Sequence, residues 1–347
     1  MRKKFTTLSI ILAASLIISG CAKSASATKS TEVKRDKIDF TQKSKVSTVK
    51  IGFPNSGKGA PGGTFGIALE KGYLDEEFNK IGVKVEAVNV ASAGPGINEA
   101  LAGNKLDLGI YGDTPAIIAK SANIDTTLVG IGTIANAASL VVSSKSDIKS
   151  VKELKGKKVA VQKGTYMHRT LAEMLNSVGL KESDIQFYNM NSTDGEAALL
   201  GGTIDAIVEG DSSAFKLVAA KTGRIILNCN KNPEWKGANL VISRTDFAKE
   251  NPQVIVALLK ALDKAKNFTD KNPEETKVIW AKSGTSKQIY DQLYPSNDFK
   301  LNVELNKESL NFVDRTKKFL IDDKLINKDF DINEWADNRY YEEAIKK

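Results

Sequence analysis

Val83-Lys-Val-Glu-Ala-Val-Asn-Val90, Ala91-Ser-Ala-Gly-Pro-Gly96, Ile97-Asn-Glu-Ala-Leu-Ala102 and Gly103-Asn-Lys-Leu-Asp-Leu-Gly-Ile-Tyr111 follow one another without a break. The first run alternates in polarity and predicts a strand over 83–90, and the second is a turn. A helix over 95–102 and a strand over 106–111 follow, and strand, helix and strand joined by short turns make a parallel pair with a crossover. The rhythm continues outward. Upstream, Val49-Lys-Ile-Gly-Phe53 reads as a strand and 64–71 as a helix closed by Gly72; downstream come a helix over 115–119 and a strand over 127–134. A second unit of the same kind runs through a strand over 158–161, a helix over 166–178, a strand over 185–188, a helix over 195–200, a strand over 206–208 and a helix over 212–220. In the helix over 166–178, Leu171, Met174, Leu175 and Val178 form a buried stripe. Leu140-Val-Val-Ser143 and Leu240-Val-Ile-Ser243 flank the unit, and Val254, Leu258, Ala261, Ala265 and Phe268 then mark one face of a long helix. The pattern predicts an α/β chain of two lobes with parallel-rich sheets and two hinge-crossing strands. Residues 48–140 with 244–347 form the first lobe, and 141–243 form the second, inserted one.

The chain has 347 residues, which suits about two domains. Its 41% apolar and 27% charged residues are those of a globular protein, and the formal charge is +8. That charge is uneven. Arg2, Lys3 and Lys4 stand without an acid in the first twenty residues. Lys23, Lys29, Lys34, Arg35, Lys37, Lys43 and Lys45 outnumber Glu32, Asp36 and Asp39 in the next stretch. The remainder is close to neutral, which argues against nucleic acid as a partner, because such binders concentrate basic residues on a folded face.

The basic start precedes an apolar stretch, 8–18, too short for a typical membrane span and suited to an export signal over 1–20. It ends in Ile18-Ser19-Gly20-Cys21, which resembles the lipobox of bacterial lipoproteins. The resemblance implies cleavage before Cys21, acyl chains such as palmitate on that residue, and a lipid-anchored protein on the extracytoplasmic face of the cell membrane. Residues 21–47, rich in Ser, Thr and Lys, then read as the lipid anchor and a flexible tether. With Cys21 acylated, Cys229 has no partner, and its neighbours Ile225, Ile226 and Leu227 suggest a small buried hydrophobe.

Open α/β sheets bind ligands beyond the carboxyl ends of their strands, where helix starts also point. Five such turns are rich in glycine, hydroxyls or capping residues: 54–64, 92–96, Gly112-Asp-Thr-Pro115, Lys163-Gly-Thr-Tyr-Met-His168 and Glu209-Gly-Asp-Ser-Ser213. Pro95 and Pro115 suit first helical positions, with Gly94 and Thr114 as caps. Each turn alone could be plain capping; five in alternation favour a cleft that binds an anion through backbone N–H groups. Gly52-Phe-Pro-Asn-Ser-Gly57-Lys58-Gly59 nearly matches a nucleotide-binding loop but lacks the final hydroxyl residue. Neither a nucleophile elbow nor a zinc-type His cluster is visible, so no catalysis, metal or cofactor is expected.

Ala93-Gly-Pro95, Asn98-Glu-Ala-Leu101, Gly103-Asn-Lys-Leu-Asp-Leu-Gly109, Gly112-Asp-Thr-Pro115, Ser150-Val-Lys-Glu-Leu-Lys-Gly-Lys-Lys158 and Lys163-Gly-Thr165 with His168 occur in that order. Together they resemble the substrate-binding proteins of sulfonate, taurine and nitrate ABC importers, the NMT1-like family. The resemblance implies a two-lobed periplasmic binding protein type II fold with ligand between the lobes. It implies a permease and an ATPase as partners, and a monomer that captures a small anionic or zwitterionic solute. It also implies a cleft lined by Asn55, Ser56, Gly94, Pro95, Gly96, Asp113, Thr114, Thr165 and His168. His168 could donate to a ligand oxygen or lie on the exposed face of its helix. Family members often carry a Trp-x-Pro-Tyr-like turn where this chain has Glu209 and Asp211. That loss removes an apolar wall, and the two acids would suit an amine; alternatively Asp211 merely caps a helix. Phe53, Tyr111 and Tyr166 remain as candidate walls. Nitrate, an aromatic carboxylate, a pyrimidine or vitamin precursor, and a sensory rather than transport partner remain compatible. An enzyme of thiamine-precursor type is disfavoured by the shortage of cysteine and histidine.

Overall fold

The computed structural model describes residues 35–54 and 60–346. Cys21, Asn55 and Ser56 lie outside them. Ten strands occur among these residues: β1 (Thr48–Pro54), β2 (Lys84–Val90), β3 (Leu108–Gly112), β4 (Thr126–Asn136), β5 (Ala138–Ser143), β6 (Lys158–Val161), β7 (Gln186–Asn189), β8 (Ala206–Gly210), β9 (Gly223–Asn228) and β10 (Gly237–Arg244). They form two five-stranded sheets, ordered β2-β1-β3-β10-β4 and β7-β6-β8-β5-β9. In the first, β1 runs parallel to β2 and β3, while β10 is antiparallel to β3 and β4. The second repeats this plan: β6 is parallel to β7 and β8, and β5 antiparallel to β8 and β9.

Each sheet is covered on both faces, so its strands alternate between two cores. Leu240 and Ile242 of β10 pack with Leu128, Ile131 and Trp335, whereas Val241 packs with Val49, Ile51 and the helix Pro252–Lys271. On that helix Val254, Leu258, Ala261 and Ala265 are fully buried, the face read from the sequence. In the second sheet Leu140 and Val142 face Leu171, Met174 and Leu175, while Val141 faces Leu199 and Leu217. Helices Lys307–Asp322, Ile332–Trp335 and Arg339–Ala344 complete the first lobe.

Two expectations need correction. The strands 140–143 and 240–243 do not cross between lobes, because β5 belongs wholly to the second sheet and β10 wholly to the first. The chain crosses at Ala137, the residue between β4 and β5, and again just before Gly237, which pairs with Asn136. The boundary at 141 therefore shifts to the start of β5, and that at 243 to the start of β10. Nor are residues 36–47 a free tether. Ile38, Phe40 and Val46 pack on the first core, and the Phe40 ring meets Tyr340 edge-on at 5.8 Å. The Lys45 N–H donates to Asn251 Oδ1 at 2.8 Å, and Arg339 Nη1 donates to the Asp36 carbonyl at 2.6 Å. Three apolar side chains in a polar run suffice to hold the segment down.

Candidate functional site

The strand ends and helix starts of the two lobes face each other across a cleft. One cavity in it, of about 200 Å³, is bounded on the second-lobe side by Ala137, Tyr166, Gly210, Asp211, Ser212 and Asn230. Three helices begin at its wall: Gly63–Glu70 from the first lobe, and Tyr166–Asn176 and Asp211–Ala219 from the second. The N–H groups of a first helical turn have no partner within the helix, and the helix dipole adds partial positive charge. Apart from the Asp211 N–H, which donates to the Ala137 carbonyl at 3.1 Å, these first turns leave N–H groups from both lobes for an anion, and the described lining residues include no cationic side chain.

The opposite wall is aromatic. Trp280 stands 5.6 Å from Tyr290, 6.0 Å from Tyr294 and 4.9 Å from Phe299, centroid to centroid. These rings come from the helices Pro273–Ala281 and Lys287–Leu293 and from the segment after them. Lys287–Leu293 also packs against Asp211–Ala219 of the second lobe. Sequence reading missed this wall because its residues lie far along the chain from the glycine-rich turns. Of the three candidate walls, Tyr166 lines the cavity. Phe53 is core, and Tyr111 is fully buried with its hydroxyl donating to Asn98 Oδ1 at 2.8 Å.

Among the described candidate side chains, Asp211 lines this cavity. Its Oδ1 accepts from Ser139 Oγ at 2.9 Å and from Asn228 Nδ2 at 2.8 Å; its Oδ2 accepts from Asn230 Nδ2 at 3.0 Å. Burial raises its carboxyl above the usual range, and these three donors pull it back towards the ionised form. Asp113 is the counterpart in the first lobe. Both follow a glycine at a strand end (Gly112, Gly210) and open a helix, so Thr114 and Asp211 are inside their helices and are not the caps expected. Asp113 is fully buried and accepts from the Thr114 N–H at 2.7 Å, from Thr316 Oγ1 at 3.1 Å and from the Ala238 N–H. The two aspartates thus each grip a strand that has just arrived from the other lobe, Asp113 at β10 and Asp211 at β5. Asp211 alone of the pair also faces the cavity.

The remaining candidates are spent on structure. Gly94 is not a cap, since its helix begins at Ala93; a Cβ on it would lie 2.3 Å from Pro115 Cγ, so the bare backbone lets two helices meet. A Cβ on Gly96 would strike Ser92 Oγ, just ahead of the same helix. Thr165 caps its helix, accepting from the His168 N–H at 3.4 Å and donating to the Gln162 carbonyl at 2.7 Å. His168 is neither exposed nor on the aromatic cavity. It is buried, with Nε2 2.7 Å from Glu182 Oε2, and with Pro95 and Thr114 it lines a separate apolar crevice of about 310 Å³ between the lobes. Glu209 is buried, accepting from Ser192 Oγ at 2.6 Å, and burial lifts its carboxyl to about 7. Ser192, Ser212 and Lys216 border a further polar part of the cleft, about 530 Å³. Cys229 is buried, its sulfur accepting from the Ala138 N–H at 3.1 Å, and burial raises the thiol to about 11. Among the described residues no group of three His, Cys, Asp or Glu could hold a metal ion. No helix among them is long and apolar enough to cross a membrane.

Two lobes of like topology, crossed twice and separated by a cleft of helix starts, define a two-lobed solute-binding protein fold. The NMT1/THI5-like family model matches residues 64–276, more than half the chain, and the chain belongs to that family. It is 27% identical over 284 residues to a Bacillus subtilis protein named for binding aliphatic sulfonates, covering 81% of this chain and 84% of that one. Its fold matches a periplasmic sulfonate-binding protein of an ABC transporter from Methylobacillus flagellatus, with TM-score 0.70, 28% identity, and coverage of 87% of this chain and 94% of that one. It also matches the periplasmic aliphatic sulphonate binding protein of Escherichia coli, with TM-score 0.68, 26% identity, and coverage of 84% and 92%.

Proposed function

We propose that this chain is the extracytoplasmic solute-binding component of an ABC importer, capturing a small sulfonate- or taurine-like anion or zwitterion between its lobes. The observation that carries this reading is the convergence of helix starts from both lobes on one cavity. A ligand touching both lobes binds the closed state more tightly than the open one, so closure follows from binding. The two crossings, at Ala137 and just before Gly237, sit side by side, which suits them to act as the hinge. The closed, loaded monomer is what permease and ATPase subunits recognise, and acyl chains on Cys21 keep it at the membrane. Capture without chemistry is supported by the side chains themselves. The lone histidine is held by Glu182, and the Cys229 thiol is buried and raised away from thiolate formation.

The test is a thermal-shift screen of the purified protein with sulfonates, taurine, nitrate, carboxylates and pyrimidines. A ligand at about 100 times its dissociation constant stabilises the fold by about 2.7 kcal/mol. A shift with a sulfonate or taurine, together with a smaller radius of gyration in solution scattering, is expected. A shift only with neutral compounds would overturn the anion cleft.

A further inference from the structure

A sulfonate oxygen only accepts hydrogen bonds, so a plain alkanesulfonate pairs with N–H and O–H groups and with nothing else. The cavity beside the lobe crossings asks for more than that. Asp211 is 9% exposed; its Oδ1 takes two donors, and among the described residues its Oδ2 takes only Asn230 Nδ2. Asn230 gives its NH₂ group to that carboxylate, and no described residue donates to its own Oδ1. From the first lobe, Asn136 and Asn239 share one amide-to-amide hydrogen bond of 2.9 Å. Whichever way that pair is oriented, one amide oxygen and one NH₂ group are left without a partner among the described residues. All four residues line the cavity, and its described lining includes no Lys, Arg or His.

The groups left over are therefore of both kinds and come from both lobes: carboxylate and amide oxygens that need donors, and an NH₂ group that needs an acceptor. A plain alkanesulfonate enclosed here would strand the oxygens without partners and lose affinity for it. The helix starts at Gly63 and Asp211 lie directly beside these oxygens, so the solute must carry its donors close to its anionic group. A single ammonium donates from one point and accepts nothing, whereas hydroxyls on neighbouring carbons donate, accept and can face both lobes. The volume of about 200 Å³ keeps the chain short. We propose that the cavity selects a short-chain sulfonate bearing two or more hydroxyl groups. Its anionic oxygens take the free N–H groups of the helix starts, and its hydroxyls are shared between the Asp211–Asn230 and Asn136–Asn239 pairs. The inference rests on the importer reading and names the solute class for the same site.

Calorimetry on the unaltered protein tests it with 2,3-dihydroxypropane-1-sulfonate, propane-1-sulfonate, taurine and glycerol. The dihydroxylated sulfonate binds about tenfold or more tighter than propane-1-sulfonate, which has the same chain without the hydroxyls, and tighter than taurine. N230A, a change at an exposed side chain, weakens the dihydroxylated sulfonate by about tenfold while changing propane-1-sulfonate little. Equal or tighter binding of propane-1-sulfonate or taurine overturns the proposal and leaves the sulfonate importer standing. Equal weakening of both sulfonates in N230A overturns the pairing given to Asn230. Binding of glycerol with every sulfonate inert would keep the hydroxyl pairing and overturn the sulfonate reading. No binding by any of the four overturns the hydroxylated-sulfonate assignment outright.

Discussion

Glu209 is 2% exposed at the end of β8, with the Ser192 hydroxyl donating to it and Lys216 near enough to attract it. Burial outweighs both and lifts the carboxyl from 4.5 to about 7. The folded chain therefore keeps a proton that the unfolded chain releases as pH rises from about 4.5, and stability falls across that window until the folded carboxyl also ionises near 7. Above it the loss is constant. E209Q, which keeps an acceptor for Ser192, should match the parent below about pH 4 and exceed it in stability by about 3 kcal/mol at pH 8. Urea unfolding across the pH range checks this, and a gap independent of pH would contradict it. The sequence exposed this residue as an acid at a strand end but not which way it turns. Its carboxylate turns to Ser192 at the start of the helix Ser192–Leu200, buried beneath the polar part of the cleft that Ser192 and Lys216 border.

Helix starts carry the cleft, and how closely they approach one another depends on missing side chains. The helix Ala93–Ala102 meets Asp113–Ser121 where Gly94 faces Pro115, with no room for a methyl group. G94A forces two helices and a strand end apart, because the obstruction is a ring that cannot rotate away. The cost should be about 1–3 kcal/mol in chemical denaturation. A change under about 0.5 kcal/mol would show that the contact yields, as ordinary surface sites do. Glycine in these turns was legible as a signal of close approach. Whether a ligand or a neighbouring helix does the approaching was not, and here it is the helix.

At the scale of the whole molecule, Arg169 ties the second crossing to the second lobe. It is 1% exposed and donates to the carbonyls of Glu234, at 3.4 Å, Trp235, at 3.1 Å, and Lys236, with Thr170 Oγ1 also donating to Trp235. From the other lobe Asp113 holds Ala238 N–H, so the crossing strand is fixed on both sides of its bend. R169M leaves those carbonyls without their donor and should destabilise by about 3 kcal/mol or more. R169K should not recover it, because an ammonium lacks the planar fork that spans several carbonyls. Denaturation of both variants checks this; recovery by lysine would mean that charge alone matters. The same buried cluster pins the second crossing before Gly237, outside the strand that periodicity singled out.

What the sequence determined by itself was the order of elements, the α/β class, the two lobes and the family. These follow from local periodicity, turn chemistry and short motifs, all carried by residues near one another in the chain. The buried face of the helix Pro252–Lys271 was readable for the same reason. Tertiary structure alone decided the sheet membership of β10, the docking of residues 36–47 and the composition of the cavity. Trp280, Tyr290, Tyr294 and Phe299 meet Tyr166 and Asp211 only because the first lobe's late helices reach back across the cleft. Pairings of that kind join residues far apart in sequence. They are selected by how whole faces pack, which no local pattern records.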